Sequence, residues 1–488
     1  MIHGFEFCRD KNKEVGEVVE VRNSLVRVVG LPGAVVGEGI SFESSEHGMV
    51  LSLGDDFAEV LVLSLNPLSQ GTQAARTGEQ LTVSCGEGLL GHTVDAFGYT
   101  KDERRDKSDY PETRQILINP SGIAQRHAVT KSFATGVSIV DLIVPIGRGQ
   151  RELVIGDRKS GKTHFLLQTM LAQAKEGHVC VYGAVGKKKE EIKAIEEFLD
   201  EEKIMDRCII VAADAHDSPG EVYLAPYTAM TVAEYFRDKG SNVFLVLDDL
   251  STHAKYYREL SLLGSRFPGR ESYPGDIFHA HSQLLERAGS FNIDGKEATI
   301  TCLPVAESIG GDITGYIQTN LMSMTDGHIY FDAEKFYKGI RPAVNAFLSV
   351  TRVGRQTQDD LLREVGKEVL SILRKHEDLQ RFLRFGPDMS EDAQDVIRQG
   401  DALLSFFTQA GYVPVAPSLQ AVLVALIKNN DWNGKNALQF AKAYNSGEEY
   451  KTVINEIVQT SKSFTELLEH VSRSKQGVMK VLEKEKSE

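Results

Sequence analysis

The chain has 488 residues, of which 41% are hydrophobic, so it is too long for one core and apolar enough for two or three domains. Its 69 acidic and 55 basic side chains give a formal net charge of -14, which disfavours direct contact with nucleic acid or anionic lipid. Scattered cysteines without a CxxC pair argue against a zinc site and a disulfide framework.

The N-terminal part of the chain has the pattern of short β-strands. Alternation of apolar and polar residues between Val15 and Val83, as in VVEVRNSLVRVV, predicts strands that glycines separate. Many short strands at this spacing predict a small β-barrel in residues 1–86. Because the segment is acidic and poor in aromatic residues, we expect no nucleic acid on this barrel.

The next part alternates between apolar runs and helical segments. This alternation predicts an α/β domain with a mostly parallel sheet in residues 87–354. The runs predicted as buried strands are RELVI, HVCVYGAV, RCIIVAA, NVFLVLDD and ATITCLPV. Beyond Arg352 the apolar residues recur with the spacing of an α-helix, and we expect residues 355–488 to form an α-helical domain. One face of its first helix is lined by Leu362, Val365, Val369, Ile372 and Leu373.

The stretch GDRKSGKT fits the phosphate-binding pattern G-x-x-x-x-G-K-[ST]. The predicted strand RELVI precedes it and the helical segment HFLLQTMLAQA follows it, which is the context that such a loop requires. We expect Lys162 to neutralise the β and γ phosphates of ATP or ADP and Thr163 to offer its hydroxyl to Mg²⁺. The predicted nucleotide ligands in the loop are Gly156, Asp157, Arg158, Lys159, Ser160, Gly161, Lys162 and Thr163.

A second feature of the predicted nucleotide site is the acidic end of the strand NVFLVLDD. Its carboxylates, Asp248 and Asp249, follow a buried apolar run. In phosphate-binding loops of this class, an aspartate at the end of such a strand holds the water shell of the magnesium ion. The sequence therefore predicts Asp248 as a ligand of the nucleotide and, together with Thr163, of Mg²⁺.

Hydrolysis needs one further group, a carboxylate or amide that polarises the attacking water. In ATPases of this kind it stands just past the strand that follows the P-loop helix, and here that position is Lys187. A charged ammonium is a donor where an acceptor is needed. Glu190 and Glu191 are the alternative, but both are predicted to lie inside the following helix. The sequence thus predicts good nucleotide binding with little or no hydrolysis.

Several long blocks of the sequence resemble the alpha subunit of F-type rotary ATP synthases, from about Glu14 to the C-terminal helices. The blocks are PIGRGQRELVIGDRKSGKT, DDLSTHAKYYRELSLL, FPGRESYPGDIFHAHSQLLERA, TDGHIYFD and YKGIRPAVNAFLSVTRVG. The resemblance implies an N-terminal β-barrel, a RecA-like P-loop domain and a helical bundle. It also implies alternation with beta-type catalytic subunits around a central gamma-type shaft, at the cytoplasmic face of a membrane. Such complexes couple ATP synthesis or hydrolysis to the transport of protons or sodium ions.

The resemblance also assigns roles to individual residues outside the P-loop. Arg352, in SVTRVG, would reach across the interface to the neighbouring beta site, and Ser349 matches a position that the family needs for activity. Arg341 and Pro342 match residues near the adenine, and Gln409 matches a glutamine on the purine.

The chain departs from the family pattern in places that bear on function. The family's glutamine is replaced by Lys187, and a second adenine-side glutamine is replaced by Gly411. Lys159 and Ser160 stand where the family has glutamine and threonine. The segment before Val15 leaves little room for the usual helix that joins alpha to the peripheral stalk, so the sequence leaves the mode of stalk attachment open.

Two other classes of protein are the alternatives: a stand-alone hexameric motor, which shares the core fold, and a regulatory ATP-binding protein. A stand-alone hexameric motor of the secretion type would need a glutamate at position 187, and an RNA translocase of the Rho type would need a basic, aromatic barrel. A regulatory ATP-binding protein would have no use for Arg352, because an arginine supplied in trans acts only on a neighbouring active site.

Overall fold

The computed structural model describes residues 4–100, 110–383 and 390–484. The chain divides into two compact units, each made of non-consecutive segments. Unit 1 comprises Met1–Ala128, Gly177–Glu307 and Ile313–Thr325, and unit 2 comprises Val129–Glu176, Ser308–Asp312 and Asp326–Glu488. The three-domain boundaries at 1–86, 87–354 and 355–488 stay a prediction.

Strands dominate the first part of the chain and helices the last part. The strands are β1 (Val15–Arg22), β2 (Leu25–Val29), β3 (Glu38–Phe42), β4 (His47–Leu53), β5 (Phe57–Val62), β6 (Gln73–Gln80), β7 (Thr82–Cys85), β8 (His92–Val94), β9 (Glu112–Gln115), β10 (Ser132–Phe133), β11 (Ile146–Gly147), β12 (Glu152–Gly156), β13 (Val179–Lys187), β14 (Cys208–Asp214), β15 (Val243–Asp248), β16 (Gly289–Ile293), β17 (Lys296–Glu307), β18 (Gly327–Phe331) and β19 (Val350–Thr351). The helices are α1 (Phe5–Asn12), α2 (Ser138–Ile143), α3 (Lys162–Lys175), α4 (Lys189–Glu201), α5 (Pro219–Asp238), α6 (Leu250–Leu263), α7 (Ile277–Leu285), α8 (Tyr316–Met324), α9 (Ala333–Tyr337), α10 (Gly354–Thr357), α11 (Asp360–Leu383), α12 (Glu391–Phe407), α13 (Pro417–Lys428), α14 (Ala437–Ser446), α15 (Glu448–Thr460) and α16 (Phe464–Lys484). Within the described ranges, no helix combines the length and the apolar character that crossing a membrane requires.

Six strands of unit 1 form a closed barrel in the order β1-β2-β5-β4-β3-β6. Alternate side chains point inward, and Ile40, Phe42 and Val60 are fully buried in the barrel core. The predicted N-terminal β-barrel is therefore confirmed. Helix α1 precedes the barrel and contacts β6, where the Asn12 side chain donates a hydrogen bond to the carbonyl of Arg76 at 2.6 Å.

The rest of unit 1 is an α/β layer around a parallel sheet. The strand order is β17-β15-β13-β14-β8, and β16 runs antiparallel on the far side of β17. Every residue of β15 is buried, as expected for the middle of a parallel sheet that helices cover. Four of the predicted apolar runs are confirmed as β13, β14, β15 and β17. Because the strands are parallel, their carboxyl ends share one edge of the sheet.

In unit 2, the P-loop follows β12, which belongs to a group of three paired strands. Strand β12 pairs in parallel with β18, and β18 pairs antiparallel with β19. The fifth predicted run, RELVI, is confirmed as β12, and the predicted helix after the loop is confirmed as α3. The strand and the helix are therefore joined by a short loop, residues 157–161, at the carboxyl end of β12.

The C-terminal part of unit 2 is helical, as the spacing of its apolar residues predicted. Val365, Val369 and Ile372 form a buried stripe on α11, and Leu373 is buried with them, whereas Leu362 is only partly buried. Helix α13 is apolar on all sides, and its residues from Leu419 to Ile427 are buried. It contacts α11, α12, α14, α15 and α16, which makes it the central helix of the bundle.

Candidate nucleotide site

The loop between β12 and α3 has the backbone geometry of a phosphate cradle. Lys159 and Gly161 both have positive φ angles, 60° and 93°, which turn the chain tightly before α3 begins at Lys162. The backbone N–H groups of the first helical turn are left without helical partners and attract anions. Gly156 is required for packing, because an added Cβ would lie 2.4 Å from the carbonyl oxygen of Phe331.

The first residue of the loop is anchored within unit 2. The Asp157 carboxylate accepts hydrogen bonds from the Ser308 hydroxyl at 2.6 Å and from the Gly311 N–H at 3.0 Å. The N–H of Ser308 donates to the carbonyl of Gly156 at 3.1 Å. The loop thus has a fixed base, and its exposed residues, Arg158 and Lys159, lie beyond it.

Two polar side chains, one in the loop and one at the start of α3, are suited to a phosphate group. The Lys162 ammonium donates to the carbonyls of Gly156 and Asp157 at 2.7 Å and 2.8 Å, so it lies across the concave side of the loop. The Ser160 hydroxyl is buried and has no hydrogen-bond partner among the described residues. A buried hydroxyl without a partner costs free energy unless a ligand or water satisfies it. Thr163 is exposed at the start of α3.

Aromatic side chains near the loop were not predicted from the sequence. The Phe336 ring is in van der Waals distance of Gly161, at 3.4 Å from the position of an added Cβ, and the Arg341 guanidinium lies over the same ring at 4.2 Å. The rings of His164 and Tyr412 are 4.1 Å apart. Their sequence signal was limited to adjacency, since His164 follows the P-loop motif and Tyr412 follows Gly411.

Gln409, which was predicted to contact the purine, makes hydrogen bonds to the backbone of unit 2. It is fully buried, its side-chain oxygen accepts from the N–H of Ser138 at 2.7 Å, and its side-chain nitrogen donates to the carbonyl of Gly136 at 3.1 Å. Its own N–H donates to the carbonyl of Arg341 at 2.7 Å. Gln409 therefore holds three segments of unit 2 together. The adenine contacts of Gln409, Arg341 and Pro342 stay predictions.

In unit 1, Lys187 forms an ion pair with the carboxylate that was predicted to serve magnesium. Its ammonium lies 2.9 Å from Asp248 Oδ1, and the Tyr182 hydroxyl donates to Asp248 Oδ2 at 2.5 Å. The Asp248 side chain is only 3% exposed. Burial alone would lower the pKa of Lys187, but the carboxylates of Asp248 and Asp249 raise it above its ordinary value. Lys187 is therefore protonated at neutral pH.

Among the possible substitutes for a catalytic base, Glu191 and Asp249 accept hydrogen bonds from the backbone. Glu190 and Glu191 are exposed in the first turn of α4, as predicted, and Glu191 accepts from the N–H of Lys188 at 3.3 Å. Asp249 caps α6 by accepting from the N–H of Thr252 at 2.6 Å. Burial, and then the neighbouring Asp248, raise the pKa of Asp249 to about 6.

The two residues predicted to be catalytic lie around strand β19 in unit 2. Arg352 directly follows β19, its side chain is exposed, and its N–H donates to the carbonyl of Asp326 at 2.9 Å. The Ser349 hydroxyl donates to the carbonyl of Asn345 at 2.7 Å and accepts from the N–H of Tyr330 at 2.9 Å. Ser349 thus supports the turn before Arg352. Catalytic roles for both residues stay predictions.

The structure brings the P-loop, Phe336, Arg341, His164 and Tyr412 together within unit 2. Asp248 and Lys187 belong to unit 1. A magnesium site shared by Thr163 and Asp248 therefore stays a prediction.

Comparison with known proteins gives the family of the chain. Residues 136–351 match the nucleotide-binding domain of the ATP synthase alpha/beta family, and residues 358–470 match the C-terminal domain of the ATP synthase alpha/beta chain. The chain belongs to the ATP synthase alpha/beta family. It is 39% identical to ATP synthase subunit alpha of Rickettsia bellii over 426 residues. These residues make up 86% of this chain and 83% of that protein.

A second relative gives the same result. ATP synthase subunit alpha of Caldanaerobacter subterraneus subsp. tengcongensis is 39% identical over 429 residues, which cover 88% of this chain and 84% of that protein. The resemblance to alpha subunits of F-type ATP synthases is confirmed along most of the chain, and so is the predicted order of barrel, α/β domain and helical domain.

Proposed function

We propose that the chain is a non-catalytic, nucleotide-binding alpha-type subunit of an F-type ATP synthase that supplies Arg352 to a neighbouring beta-type catalytic site. The observation that carries the proposal is the ion pair of Lys187 with Asp248 at 2.9 Å. A protonated ammonium cannot accept a proton from water, and here it is held by a buried carboxylate. The position that would activate water in a hydrolytic site is therefore unsuited to that step.

Nucleotide binding would rest on the P-loop of unit 2. The first N–H groups of α3 and the Lys162 ammonium would hold the phosphates of ATP or ADP, and the Ser160 hydroxyl would gain the partner that it lacks among the described residues. Thr163 would offer its hydroxyl to Mg²⁺, which supplies positive charge between the β and γ phosphates when it is bound.

Arg352 would act on the catalytic site of a neighbouring beta-type subunit. It is exposed, and the hydrogen bond of its N–H to Asp326 fixes its backbone directly after β19. A guanidinium presented in this way can spread positive charge over a phosphoryl group that is being transferred on a partner. Ser349 would contribute by holding the turn that presents Arg352.

The partners follow from the names of the relatives and from the family. We expect beta-type subunits in an alternating hetero-hexamer around a gamma-type shaft, at the cytoplasmic face of a membrane, with ATP synthesis or hydrolysis coupled to transport of protons or sodium ions. Membrane contact would be made only through the complex.

The alternative interpretations lack support in the site. A stand-alone hexameric motor needs a water-activating group, and Lys187 is paired with Asp248 instead. An RNA translocase needs a basic barrel, whereas arginines of this barrel are paired with acids, as in the contact of Arg76 with the buried Glu38 at 3.0 Å. In a regulatory ATP-binding protein, the exposed Arg352 would have no neighbouring active site on which to act.

Size-exclusion chromatography of the chain alone and with a beta-type ATP synthase subunit tests the proposal. We expect the two proteins together to elute as a hetero-hexamer that hydrolyses ATP, and the chain alone to bind ATP without steady turnover. A homo-hexamer of the chain alone, with turnover that Lys162→Ala abolishes, would instead identify a stand-alone motor. A chain that stays monomeric in the presence of the beta-type subunit and binds ATP would identify a regulatory protein.

A further inference from the structure

The pairing of three strands in unit 2 places Glu152 close to the strand that ends before Arg352. Glu152 of β12 is in register with Gly327 of β18, and Gly327 is in register with Thr351 of β19. Gly327 leaves the space that the Glu152 carboxyl occupies, because an added Cβ would lie 2.6 Å from Glu152 Oε1. The carboxyl therefore lies one strand away from the backbone that carries Arg352.

A chain of hydrogen bonds joins the Glu152 carboxyl to β19. The Gln150 side-chain nitrogen donates to Glu152 Oε2 at 2.6 Å and to the Thr351 hydroxyl at 3.3 Å. The Gln150 side-chain oxygen accepts from the N–H of Gly147 at 2.7 Å, which fixes the orientation of the amide. The Thr351 hydroxyl in turn donates to the carbonyl of Pro145 at 3.0 Å. The last residue of β19 is therefore held by its side chain.

Arg151, which lies between Gln150 and Glu152, holds the backbone of Arg352 through Asp326. The N–H of Arg151 and its guanidinium both donate to the Asp326 carboxylate, at 2.9 Å and 3.1 Å. The Asp326 carbonyl accepts the N–H of Arg352 at 2.9 Å. Three consecutive residues thus fix Arg352 and the residue before it.

The environment of Glu152 favours a carboxyl without charge. The side chain is fully buried, and Oε1 has no hydrogen-bond partner among the described residues. Burial raises the pKa of Glu152 well above its ordinary value, the hydrogen bond from Gln150 lowers it, Asp326 raises it and Arg352 lowers it. An ionised carboxylate with an unpaired oxygen would be costly in this place. Glu152 therefore serves the strand as a hydrogen-bond acceptor for Gln150.

We propose that Glu152 is a positioning residue for Arg352. It acts through the Gln150 amide and the Thr351 hydroxyl. The inference rests on the proposed function, because it concerns the arginine that would be supplied to the beta-type site. Without the acceptor on Glu152, the Gln150 amide loses a bond that orients it toward Thr351, and the end of β19 is less fixed. A misplacement of about 1 Å can cost about 100-fold in the rate of a catalysed reaction.

Steady ATP turnover of the complex with a beta-type subunit tests the inference. Glu152→Leu keeps the size of the side chain but removes the acceptor, and we expect kcat to fall by about 10- to 100-fold with KM unchanged. Glu152→Gln keeps an uncharged acceptor and should retain the wild-type rate. In the Arg352→Ala background, Glu152→Leu should cause no further loss, because the group that it positions is absent.

The matched control is Gln399→Leu. Gln399 is buried in the helical part of unit 2, and its side chain donates to the carbonyl of Lys428 at 3.0 Å. This variant also loses a buried hydrogen bond, but it leaves the bonds around β19 in place. Its turnover should stay at the wild-type level. A loss as large as that of Glu152→Leu would show that any weakening of unit 2 lowers turnover, and the inference would be wrong.

The outcomes separate this inference from the proposed function. Wild-type turnover in the Glu152→Leu complex, an equal loss with Glu152→Gln, or an equal further loss in the Arg352→Ala background overturns the inference and leaves the proposed function intact. Wild-type turnover in the Arg352→Ala complex overturns both. If Glu152→Leu does not fold in a thermal melt, Thr351→Val breaks the same chain of hydrogen bonds at its other end. It should show the same loss of kcat and the same dependence on Arg352.

Discussion

Replacing Arg352 with alanine should reduce steady ATP turnover of the complex with a beta-type subunit by about 10³-fold or more, the lower end of what arginine fingers contribute. The side chain is exposed at the end of β19, and its charge would reach the partner's phosphate only when the interface closes. ATP binding to the isolated chain should be unchanged. Arg352→Lys should fail almost as badly, because an ammonium lacks the planar fork of donors.

Arg355→Ala is the matched control for this experiment. Arg355 lies on the adjoining helix α10, is exposed, and donates to the carbonyl of Ile143 at 3.4 Å. Its loss should leave turnover near the wild-type level. Wild-type turnover in the Arg352→Ala complex would show that Arg352 is only structural. A loss of ATP binding to the isolated variant, in proportion to the loss of activity, would show that Arg352 serves its own chain's nucleotide.

Lys162→Ala should remove most nucleotide binding by the chain itself. The ammonium lies across the P-loop, and charge-assisted hydrogen bonds to phosphate stabilise a complex strongly. We expect a loss of about 2–4 kcal/mol, which is about 30- to 1,000-fold in the dissociation constant for ATP. Calorimetric titration of the purified variant with ATP measures it.

Lys175→Ala controls for a change of charge on the same helix. Lys175 is the last residue of α3 and is exposed, so its removal should leave the ATP affinity unchanged. Lys162 also bonds the carbonyls of Gly156 and Asp157, so a thermal melt without ATP checks that the loop still folds. ATP binding at wild-type strength in a folded Lys162→Ala variant would place the nucleotide outside the P-loop.

The elements that the sequence predicted well are those with a period or a long apolar run. The buried strands β13 and β15 are continuous apolar runs, and α3 follows a motif that fixes its start. Strands β10, β11 and β19 have two residues each, which is too short for any period to show. Their formation depends on tertiary hydrogen bonds that local sequence does not encode.

The residues that were predicted for nucleotide binding divide in the same way. The P-loop is a local motif, so its residues could be predicted. The pairing of Lys187 with Asp248 depends on β13 lying beside β15 and on the bulge at Gly186, which are properties of the sheet. The bonds of Gln409 to the backbone depend on distant segments of unit 2 meeting. Family resemblance assigned a purine contact to Gln409, and that contact stays a prediction.

The most direct test of a non-catalytic nucleotide site is the fate of ATP on the isolated chain. ATP labelled at the γ-phosphate is mixed with an excess of the chain, the mixture is quenched at intervals, and bound ATP and released phosphate are separated. Because Lys187 is protonated and paired with Asp248, we expect the bound label to remain in ATP throughout the period in which the complex with a beta-type partner completes many turnovers. Conversion of the bound ATP to ADP and phosphate at the turnover rate of that complex would contradict the proposed function.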